Sequence, residues 1–509
     1  MKISFLLTLG IGIPVFKALA IKPADPSFTP PTLSHQPFGY GGLSTGGSLN
    51  TSSESIFIVS NATELKDALA LPFAKTIYVN GTINGNELPD GRLATCQDYI
   101  DMTGSPGADI RNFNFTQYLL SMNTTYTALI DQAIAQNVTF EGMNATEYKT
   151  LLSHMNGWRP VLANTMKSQV GFHLTNDTSV IGLDENAALN GGEFYVASVD
   201  NVWIRNMKLV SPQDCFPAPE TFPSSWNSLY DAVGVVTATN LWVDSCELQD
   251  QLSGEYVQPD EILGWQVDRF DGLFDAEDGS DNITFSHNIV RNHHKSMLLG
   301  GGTKEAPRDL GKMHFTVFGN LFNGSASRSP TMRFGTFDVL ANVYENVNDN
   351  NPIFDTNATL LPASTDSEIQ SRADGDSDDD VPLDAVFEYI LGVYNQSTVQ
   401  IQDNVFMQTG SDPTDLSRIF TISESTLPEF PARVCVHESD FFSTMNGQPI
   451  DNLTVVMQDT IDHFVETGSM VEGAVVVTCE GIEIGYELPK KFGSAEEVVT
   501  YVMAEAGQH

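Results

Sequence analysis

The sequence predicts an all-β chain folded as a parallel β-helix, a solenoid whose coils stack strand upon strand. Short apolar-alternating runs dominate from Val170 to about Gln408, and these runs resemble one another. Each copy has alternating apolar residues, a polar turn and two further apolar residues, which is typical of coils that bury one side by stacking. The clearest copies are NVWIRNMKL (201–209), NLWVDSCEL (240–248), NITFSHNIV (282–290), MHFTVFGNLF (313–322), TFDVLANVYEN (336–346) and TVQIQDNVF (398–406).

Asparagine recurs at one position of the aligned copies. The residues concerned are Asn288, Asn320, Asn342 and Asn404, while Met207 and Cys246 hold the position in the two earlier copies. Stacked amides can hydrogen-bond from coil to coil and hold tight bends. A β-sandwich would also show many short strands, but it would not place asparagine in one repeated register.

The chain divides by composition into four parts. We expect a signal peptide over residues 1–20, an N-terminal extension and first coils with a helical insertion over 21–165, the parallel β-helix core over 166–428, and a C-terminal capping region over 429–509. The insertion should contain helices around Asn114–Leu129 and Ala145–Asn156. The acidic, low-complexity segment 364–380 is typical of a surface loop.

The first twenty residues have the features of a secretory signal peptide. Lys2 supplies a positive region, an apolar run follows, and Ala18-Leu19-Ala20 offers small residues for cleavage. That run is too short to span a bilayer. Thirteen Asn-x-Ser/Thr sequons, Asn176 and Asn282 among them, agree with this interpretation. We therefore expect a secreted, extracellular, monomeric glycoprotein with no membrane segment.

The charge balance is strongly acidic, with 65 Asp and Glu against 25 Lys and Arg and a formal net charge of −40. A nucleic-acid footprint needs clustered Lys and Arg, so this composition argues against DNA or RNA as a partner. Two arginines close together in such a chain, in SASRSPTMRFG (325–335), therefore call for an explanation.

The chain has five cysteines: Cys96, Cys215, Cys246, Cys435 and Cys479. In an oxidising compartment up to two disulfides can form, with one thiol left over. Cys435 with Cys479 is a reasonable pair in the C-terminal region, although sequence alone does not settle the connectivity. None of the spacings is that of a zinc site.

The C-terminal region ends in a predicted helix, SAEEVVTYVMAEA (494–506). Ser494 and Glu497 have the spacing of a capping box at its start. A solenoid needs terminal elements that cover the open ends of the stack. We expect this helix to contribute to such a cap.

Three aspartates in neighbouring coils are candidate metal ligands. Asp271 and Asp275 lie four apart in DGLFD, a spacing that places both on one face of a β-strand. Asp231 holds a comparable place one coil earlier. Carboxylates from adjacent coils can form a Ca²⁺ site completed by water or substrate, although solvated turn residues would show the same spacing.

Three basic residues follow the aspartates. Lys295 ends the same coil as Asp271 and Asp275, and Arg328 and Arg333 fall in the next coil. Each group is one or two stacking steps from the others, so a common groove is expected. His293 and His294, beside Lys295, are interpreted as surface or packing residues that are neutral near pH 7.

In these residues and motifs the chain resembles the pectate lyases of polysaccharide lyase family one. The similar text runs over roughly residues 38–408 and includes GYGGLSTGGS, NVWIRNMKL, DGLFDAEDGSDNITFSHN, HHKSMLLGG and RSPTMRFGTF. DGLFD, HHK and RSPTMRFG are specific as an ordered succession, whereas each motif alone would mean little.

The resemblance implies a right-handed β-helix and calcium-dependent β-elimination of polygalacturonate. It further implies that Asp231, Asp271 and Asp275 bind Ca²⁺ and that Lys295 and Arg333 bind substrate. The remaining residue, Arg328, would be the catalytic base at C5 of galacturonate. Arginine is ordinarily protonated, so we expect neighbouring positive charges to favour its neutral form.

The chain departs from the family pattern at three places. Ser245 stands where relatives commonly have histidine in a Trp-Ile-Asp-His motif, Asp338 stands where many have histidine, and Leu229 stands where a carboxylate is sometimes found. We expect the first two changes to affect hydrogen bonding in the groove and the third to remove a secondary calcium ligand.

Three other functions are compatible with parts of this pattern. A pectin lyase would act on methyl-esterified chains without calcium and would replace ligand carboxylates with a basic residue, which Asp271 and Asp275 disfavour. A polygalacturonase would need paired aspartates placed for water attack. A catalytically inactive β-helix that binds the cell wall remains the alternative from outside the enzyme class.

Overall fold

The computed structural model shows a parallel β-helix, which confirms the predicted fold class. It describes residues 21–32, 34–49, 52–104, 109–348, 387–422, 433–438, 443–450, 452–466, 475–478 and 484–509. The predicted signal peptide, the acidic segment 364–380 and the suggested Cys435–Cys479 pair lie outside the part of the chain whose side chains are described. No helix in the described ranges combines the length and apolar character needed to cross a bilayer.

Three long sheets, in which sequence-distant strands pair in parallel, form the walls of the solenoid. Within the described residues, sheet 1 contains Ile56–Val59, Lys75–Val79, Thr178–Gly182, Asp200–Arg205, Thr239–Asp244, Asp281–Ser286, His314–Phe318, Thr336–Leu340, Thr398–Gln402, Arg433–Glu438 and Val475–Thr478. Sheet 2 contains Thr82–Asn84, Ala188–Asn190, Lys208–Val210, Glu247–Gln249, Ile289–Lys295, Leu321–Ser327, Val343–Asn348, Val405–Gly410, Thr444–Met445 and the antiparallel Gln448–Pro449. Sheet 3 contains Gly171–His173, Glu193–Ala197, Val233–Val236, Phe274–Glu277, Met297–Leu299, Thr331–Met332, Leu391–Val393 and Phe420–Thr421.

The core of the solenoid is a set of stacked apolar columns. In sheet 1, Val202 pairs with Leu241, Leu241 with Ile283, and Ile283 with Phe315, and all four side chains are buried. Burying one such side chain stabilises a fold by about 1.5–3 kcal/mol. The alternating apolar pattern of each run therefore selects both the strand and the side that faces inward.

The recurrent asparagines form a buried ladder at the bend between sheets 1 and 2. The backbone N–H of Asn288 donates to Oδ1 of Asn320 at 2.8 Å, and that of Asn320 donates to Oδ1 of Asn342 at 3.0 Å. Asn342 donates in the same way to Asn404, and Cys246 donates to Asn288. The four asparagines stack in one column, which confirms the predicted register. Each side-chain amide also satisfies backbone groups that the bend would otherwise leave unpaired.

Eight α-helices occur in the described residues: α1 (Ala62–Leu69), α2 (Cys96–Met102), α3 (Phe115–Met122), α4 (Thr124–Ala135), α5 (Ala145–Val170), α6 (Ala306–Asp309), α7 (Leu453–Glu466) and α8 (Ala495–Glu505). The first predicted helix is thus two, α3 and α4, because Asn123 ends one and caps the next. The second, α5, continues beyond its expected end at Asn156 to Val170.

The ends of the solenoid are covered by α1 and α7. Leu65 and Leu69 of α1, and Met457 and Ile461 of α7, belong to the same apolar cluster as the interior of the coils. Each helix therefore extends the apolar core at one end of the stack and shields it from water.

The helix α8 lies against the side of the solenoid and not at its end, contrary to the expectation of an end cap. Its Val498 and Val502 pack with Phe318 and other apolar residues in a separate cluster outside the bend between sheets 1 and 2. The helix begins after Ser494, whose side chain accepts a hydrogen bond from the backbone N–H of Glu497. The carboxylate of Glu497 accepts from Gly493 instead of closing the predicted capping box.

The helical insertion packs on one flank of the solenoid beside the predicted groove. Cys96 of α2 forms a disulfide with Cys215, which lies in a loop between strands of sheets 2 and 3. The hydroxyl of Tyr230 donates to the carbonyl of Ala163 in α5 at 2.7 Å. The insertion therefore supports the segment that carries Asp231, while the remaining thiol in the described residues, Cys246, is buried in the solenoid.

Three antiparallel hairpins accompany these elements in the described chain. They pair Thr139–Phe140 with Met143–Asn144, Ala218–Thr221 with Ser224–Asn227, and Asp260–Ile262 with Trp265–Val267. The second hairpin brings Glu220 and Asn227 to the rim of the groove.

Candidate active site

A cleft of about 490 Å³ opens along the outer face of sheet 3. The six side chains predicted from the sequence all line it: Asp231, Asp271, Asp275, Lys295, Arg328 and Arg333. Residues that are far apart in the chain thus meet, because each coil returns the backbone to the same face.

The three aspartates converge in this cleft. Each of Asp231, Asp271 and Asp275 offers a carboxylate oxygen, and these oxygens lie within 4.8 Å of one another. Asp275 lies in the strand Phe274–Glu277, and Asp271 lies in the segment that leads into this same strand. Asp231 lies in the segment that leads into the neighbouring strand Val233–Val236. The expectation that Asp271 and Asp275 share one strand face is therefore wrong, and the turn before the strand brings them together instead.

Coil register and a glycine create room for the aspartates. Gly234 pairs with Asp275 across adjacent strands of sheet 3. A Cβ atom at Gly234 would lie only 3.1 Å from Oδ2 of Asp231. Because Gly234 has no side chain, the Asp231 carboxylate can lie close over the backbone of Val233–Val236, the strand that follows Asp231 in the chain.

Asp231 and Asp275 are held in an environment that disfavours their charged forms. Burial, followed by repulsion from Asp271, raises the pKa of Asp275 to about 7, while Arg328 acts in the opposite direction. Burial, followed by repulsion from Asp275 and Asp271, raises the pKa of Asp231 well above its usual range. Oδ1 of Asp231 is buried and makes no hydrogen bond with any described residue.

Lys295 and Arg328 face the aspartates from the coil junction between sheets 2 and 3. Lys295 ends the strand Ile289–Lys295, and its Nζ lies 3.5 Å from Oδ1 of Asp271. Arg328 follows Leu321–Ser327 directly and has a left-handed backbone with φ of 57°. A non-glycine residue with positive φ is uncommon, and here this conformation occurs where the chain turns from sheet 2 toward sheet 3.

Arg333 is held from two sides. Its Nη1 donates to the carbonyl oxygen of Gly300 at 2.8 Å, and its guanidinium carbon lies 4.7 Å from the ring centroid of Tyr394. The side chain is buried. A guanidinium stacked on an aromatic ring keeps its charge while its orientation is restricted, so Arg333 presents a fixed positive charge to the cleft.

Comparison with known proteins places the chain in a family. The family model described as pectate lyase matches residues 155–415, which cover the coils that carry all six side chains. The chain belongs to the pectate lyase family. It is therefore a member of an enzyme family of polysaccharide lyases.

Individual pectate lyases are similar over different shares of the sequence. The pectate lyase of Bacillus subtilis (strain 168) is 28% identical over 325 residues, which span 62% of this chain and 70% of that protein. Pectate lyase E of Dickeya chrysanthemi is 30% identical over 180 residues, spanning 35% of this chain and 46% of that protein. The solved thermostable pectate lyase PL 47 has a TM-score of 0.69 at 22% identity, covering 94% of this chain and 98% of that one. This similarity supports the right-handed parallel β-helix.

The acidic group fits a hard divalent cation. Carboxylate oxygens are the ligands that Ca²⁺ takes in proteins, and three of them converge here. A buried carboxylate oxygen without a hydrogen bond, such as Oδ1 of Asp231, is unfavourable unless a partner compensates it. The three aspartates thus offer donors suited to Ca²⁺.

Other carboxylates in the cleft were missed in the sequence. Glu193, Glu277 and Glu305 also line it. Burial raises the pKa of Glu193 and of Glu305 to about 7, and raises that of Glu277. Glu277 was detectable, because it lies two residues after Asp275 and side chains alternate along a strand. Glu193 can be recognised as a cleft residue only when its own strand, EFYVA (Glu193–Ala197), is aligned with the strand of the following coil.

Of the two histidines beside Lys295, His293 is buried and His294 is half-buried, so both contribute to packing and neither is an exposed surface residue. Nδ1 of His293 lies 2.8 Å from Oδ1 of Asp250. His294 lies between Asp268 and Glu388. Burial alone would lower the pKa of His294, but interactions with these two carboxylates raise it to about 9. The expectation of a neutral side chain at pH 7 is therefore wrong for His294.

Two of the three departures from the family pattern lie away from the cleft. Ser245 contacts Asp244 and His35, and Asp338 accepts a hydrogen bond from Tyr486, so neither changes hydrogen bonding in the groove, contrary to expectation. Leu229 does line the cleft. Its side chain offers no oxygen ligand, as predicted.

A second cluster that has metal-ligand geometry joins three parts of the chain on the other side of the solenoid. His35, Asp244 and His287 have donor atoms within 4.8 Å of one another. These atoms are already engaged: Nδ1 of His287 lies 2.8 Å from Oδ1 of Asp244, and Nη2 of Arg205 donates to Oδ2 of Asp244 at 2.8 Å. Because the positive charge of Arg205 already balances Asp244, the cluster is a buried polar network that anchors the N-terminal segment.

Proposed function

We propose that the protein is a secreted pectate lyase that cleaves α-1,4-linked polygalacturonate by calcium-assisted β-elimination. The observation that carries the proposal is the meeting of Asp231, Asp271 and Asp275 with Lys295, Arg328 and Arg333 in one cleft. The names of the similar proteins agree with this activity. A polyanionic substrate suits a local group of three basic side chains, even in a protein of net charge −40. Salt screening limits the range over which exposed charges act to about 8–10 Å, so the distant acidic residues have little effect at the cleft.

The acidic side chains have the role of cation ligands in this proposal. Asp231, Asp271 and Asp275 would hold Ca²⁺, as their converging oxygens suggest. Bound Ca²⁺ supplies positive charge that neutralises a substrate carboxylate and stabilises negative charge that develops beside it. In the absence of the cation, the Lys295–Asp271 contact partly balances the acidic group.

The basic side chains bind the substrate and transfer the proton. Lys295 and Arg333 would pair with galacturonate carboxylates, and the fixed guanidinium of Arg333 favours one orientation of the chain. Arg328, in its neutral form, takes the proton from C5. The electron pair of the C5–H bond forms the C4=C5 double bond as the C4–O4 bond breaks. Water protonates the departing O4, and Arg328 returns its proton to solvent.

Charges of both signs bear on the proposed role of Arg328 as a base. Asp275 interacts with Arg328 and favours the charged guanidinium. Lys295 and Arg333 line the same cleft, and with the bound cation they would disfavour that charged form. The same charges stabilise the enolate-like transition state, because fixed donors and cations act on charge that develops during reaction.

The test is an assay of the purified protein on polygalacturonate with and without a chelator. We expect an unsaturated oligogalacturonide that absorbs in the ultraviolet, and loss of that signal on chelation, with recovery on adding Ca²⁺. New reducing ends without absorbance would indicate a hydrolase, and binding without product would indicate an inactive β-helix. Greater activity on highly esterified pectin, independent of Ca²⁺, would indicate a pectin lyase.

Secretion and the monomeric state form part of the same proposal. The signal-peptide features of residues 1–20 and the thirteen sequons support export and glycosylation. Expression of the full chain in a eukaryotic host should give a processed, glycosylated product in the medium that elutes as a monomer. Retention of unprocessed protein in the cells would contradict this part.

A further inference from the structure

Glu193 is a buried carboxylate beneath the acidic group of the cleft. It begins the strand Glu193–Ala197, one coil before Val233–Val236 in sheet 3. The residue is only 2% exposed. Glutamate is almost never fully buried unless a partner compensates its charge, so the surroundings of this side chain need an account.

The side chain of Glu193 extends toward Asp231 across a gap left by Gly234. A Cβ atom built on Gly234 would lie 2.9 Å from Oε1 of Glu193 and 3.1 Å from Oδ2 of Asp231. Both carboxylates therefore lie near one point above the Gly234 backbone, with Glu193 outside the group of three aspartates whose oxygens lie within 4.8 Å of one another. Any larger residue at position 234 would separate them.

The hydrogen bonding of Glu193 is incomplete on the side of the cleft. The backbone N–H of Asp231 donates to its carboxylate, which links the residue to the segment that carries the first aspartate. Oε2 of Glu193 is buried and has no hydrogen-bond partner among the described residues, and the same holds for Oδ1 of Asp231. Two buried acceptor atoms thus lack donors in adjacent coils.

The positive charge of Lys167 does not form an ion pair with Glu193. Lys167 acts on Glu193 through its charge, but its ammonium group lies over the ring of Tyr195, 4.9 Å from the centroid. None of the ion pairs among described residues joins a basic side chain to Glu193. Buried carboxylates placed together without a cation repel one another and lose hydration.

We propose that Glu193 is a fourth carboxylate of the cation site and raises its affinity for Ca²⁺. This inference rests on the proposed function, in which Asp231, Asp271 and Asp275 hold the ion. The number of charged ligands is one of the features that set Ca²⁺ affinity. Glu193 adds a charge from the preceding coil, at a site where Leu229 offers none.

The experiment is calorimetric titration of the metal-free full-length protein with Ca²⁺, without substrate. We expect Glu193→Gln to weaken the Kd for Ca²⁺ by about 10–100-fold. The matched control is Glu220→Gln, because Glu220 lines the same cleft but is exposed in the hairpin Ala218–Thr221. This control should leave the Kd within about twofold of wild type, since an exposed charge is strongly screened.

Thermal melting separates this role from a structural one. With a cation role, Glu193→Gln should leave the melting temperature of the metal-free protein unchanged or raised, because repulsion is relieved, and should reduce the increase caused by Ca²⁺. With a structural role, the substitution would lower the metal-free melting temperature and leave the Kd unchanged. That second pattern would overturn the inference.

A second variant keeps the inference testable if Glu193→Gln does not fold. Glu193→Asp retains the charge but shortens the side chain, so we expect weaker Ca²⁺ binding by the shorter carboxylate. Wild-type affinity in Glu193→Asp would contradict a direct role for the carboxylate at this position. A variant that binds Ca²⁺ equally well without Glu193 overturns this inference alone, whereas a wild-type protein that binds no Ca²⁺ overturns the proposed function as well.

Discussion

Lys295 lies 3.5 Å from Asp271, measured between Nζ and Oδ1, and this contact joins the basic and acidic sides of the cleft. The two side chains come from opposite ends of one coil, the aspartate before its sheet 3 strand and the lysine at the end of its sheet 2 strand. In the metal-free protein each partly balances the other. In the proposed function, cation binding and substrate binding would both compete with this pair.

Substitution of Lys295 by glutamine should therefore have opposite effects on the two ligands. We expect KM for polygalacturonate to rise about tenfold, which corresponds to about 1.4 kcal/mol, while the Kd for Ca²⁺ falls a few-fold because a competing charge is lost. Steady-state kinetics and calorimetry measure the two effects. Lys304→Gln, at an exposed position of the same cleft, is the control, and a parallel weakening of both ligands in Lys295→Gln would contradict the prediction.

Replacement of Arg328 by lysine should reduce kcat by about 10²–10⁴-fold, the range lost with a general base. KM should change little, because the positive charge that attracts the substrate is retained. Kinetics on polygalacturonate at saturating Ca²⁺ provide the measurement. Arg111→Lys, at an exposed site paired with Asp109, should behave as wild type. A kcat within tenfold of wild type in Arg328→Lys would remove Arg328 from the role of base.

Calcium binding should strengthen as the pH rises through about 7. Burial and then Asp271 raise the pKa of Asp275 to about 7 in the metal-free protein, and a carboxylate must lose its proton to bind the ion. Binding should therefore release protons, detected by calorimetry in buffers of different ionisation enthalpy. Equal affinity at pH 6 and pH 8, with no proton release, would refute this.

The raised pKa of Asp275 makes the metal-free fold less stable as the pH rises, although the same rise in pH strengthens Ca²⁺ binding. The folded metal-free protein holds a proton on Asp275 that the unfolded chain releases near pH 3.8. Its contribution to the free energy of unfolding therefore decreases as the pH rises from about 4 through about 7. Asp275→Asn should flatten this part of the stability profile.

The asparagine ladder should be costly to interrupt. Asn320 is fully buried; its Nδ2 donates to Phe285 O at 3.0 Å and to Asn342 Oδ1 at 2.9 Å, and its Oδ1 accepts from Asn288. Asn320→Ala leaves buried backbone groups unpaired, and we expect the free energy of unfolding to fall by about 2–4 kcal/mol.

Denaturant unfolding with Asn323→Ala as the matched control tests this prediction. Asn323 lies in the same strand region but is only partly buried, with its amide directed to Glu345. The control should lose no more than about 1 kcal/mol. Similar losses in both variants would mean that the ladder adds no special stability.

His294 should make the fold less stable as the pH rises into the alkaline range. Against the effect of burial, Asp268 and Glu388 raise the pKa of His294 to about 9, above its value in an unfolded chain. The stabilisation is fully present below about pH 6.5 and is lost as the pH rises through about 9, with an upper limit of about 3 kcal/mol. His294→Gln should lose this dependence, whereas His154→Gln, at an exposed position, should retain it when melting is followed from pH 6 to pH 10.

The solenoid and the ladder were predictable because their signals are local and repeated. Alternation of apolar residues reports which face of a strand is buried, and a residue type that returns in each copy, as at Asn288 and Asn320, reports a shared register. The six cleft residues were found as an ordered series of motifs, each carried by a short stretch of chain. Their convergence follows once the coils are stacked.

Features that depend on the path of loops were not accessible in this way. The Cys96–Cys215 disulfide joins residues 119 positions apart, and no local pattern relates them. The raised pKa of His294 depends in part on Glu388, which returns from a later coil. The location of α8 on the flank of the solenoid depends on apolar residues of several strands.

The repeating pattern alone was sufficient for the coil architecture, since strand faces follow from alternation along the chain. The ordered motifs were sufficient for the six residues that were predicted to border the cleft. Folding in three dimensions was needed to bring Glu193 over Gly234 to Asp231, to place Lys295 against Asp271 and to build the polar network around Asp244. These contacts depend on the offset between coils and on the route of each connecting segment. Neither is encoded in the period of a single strand.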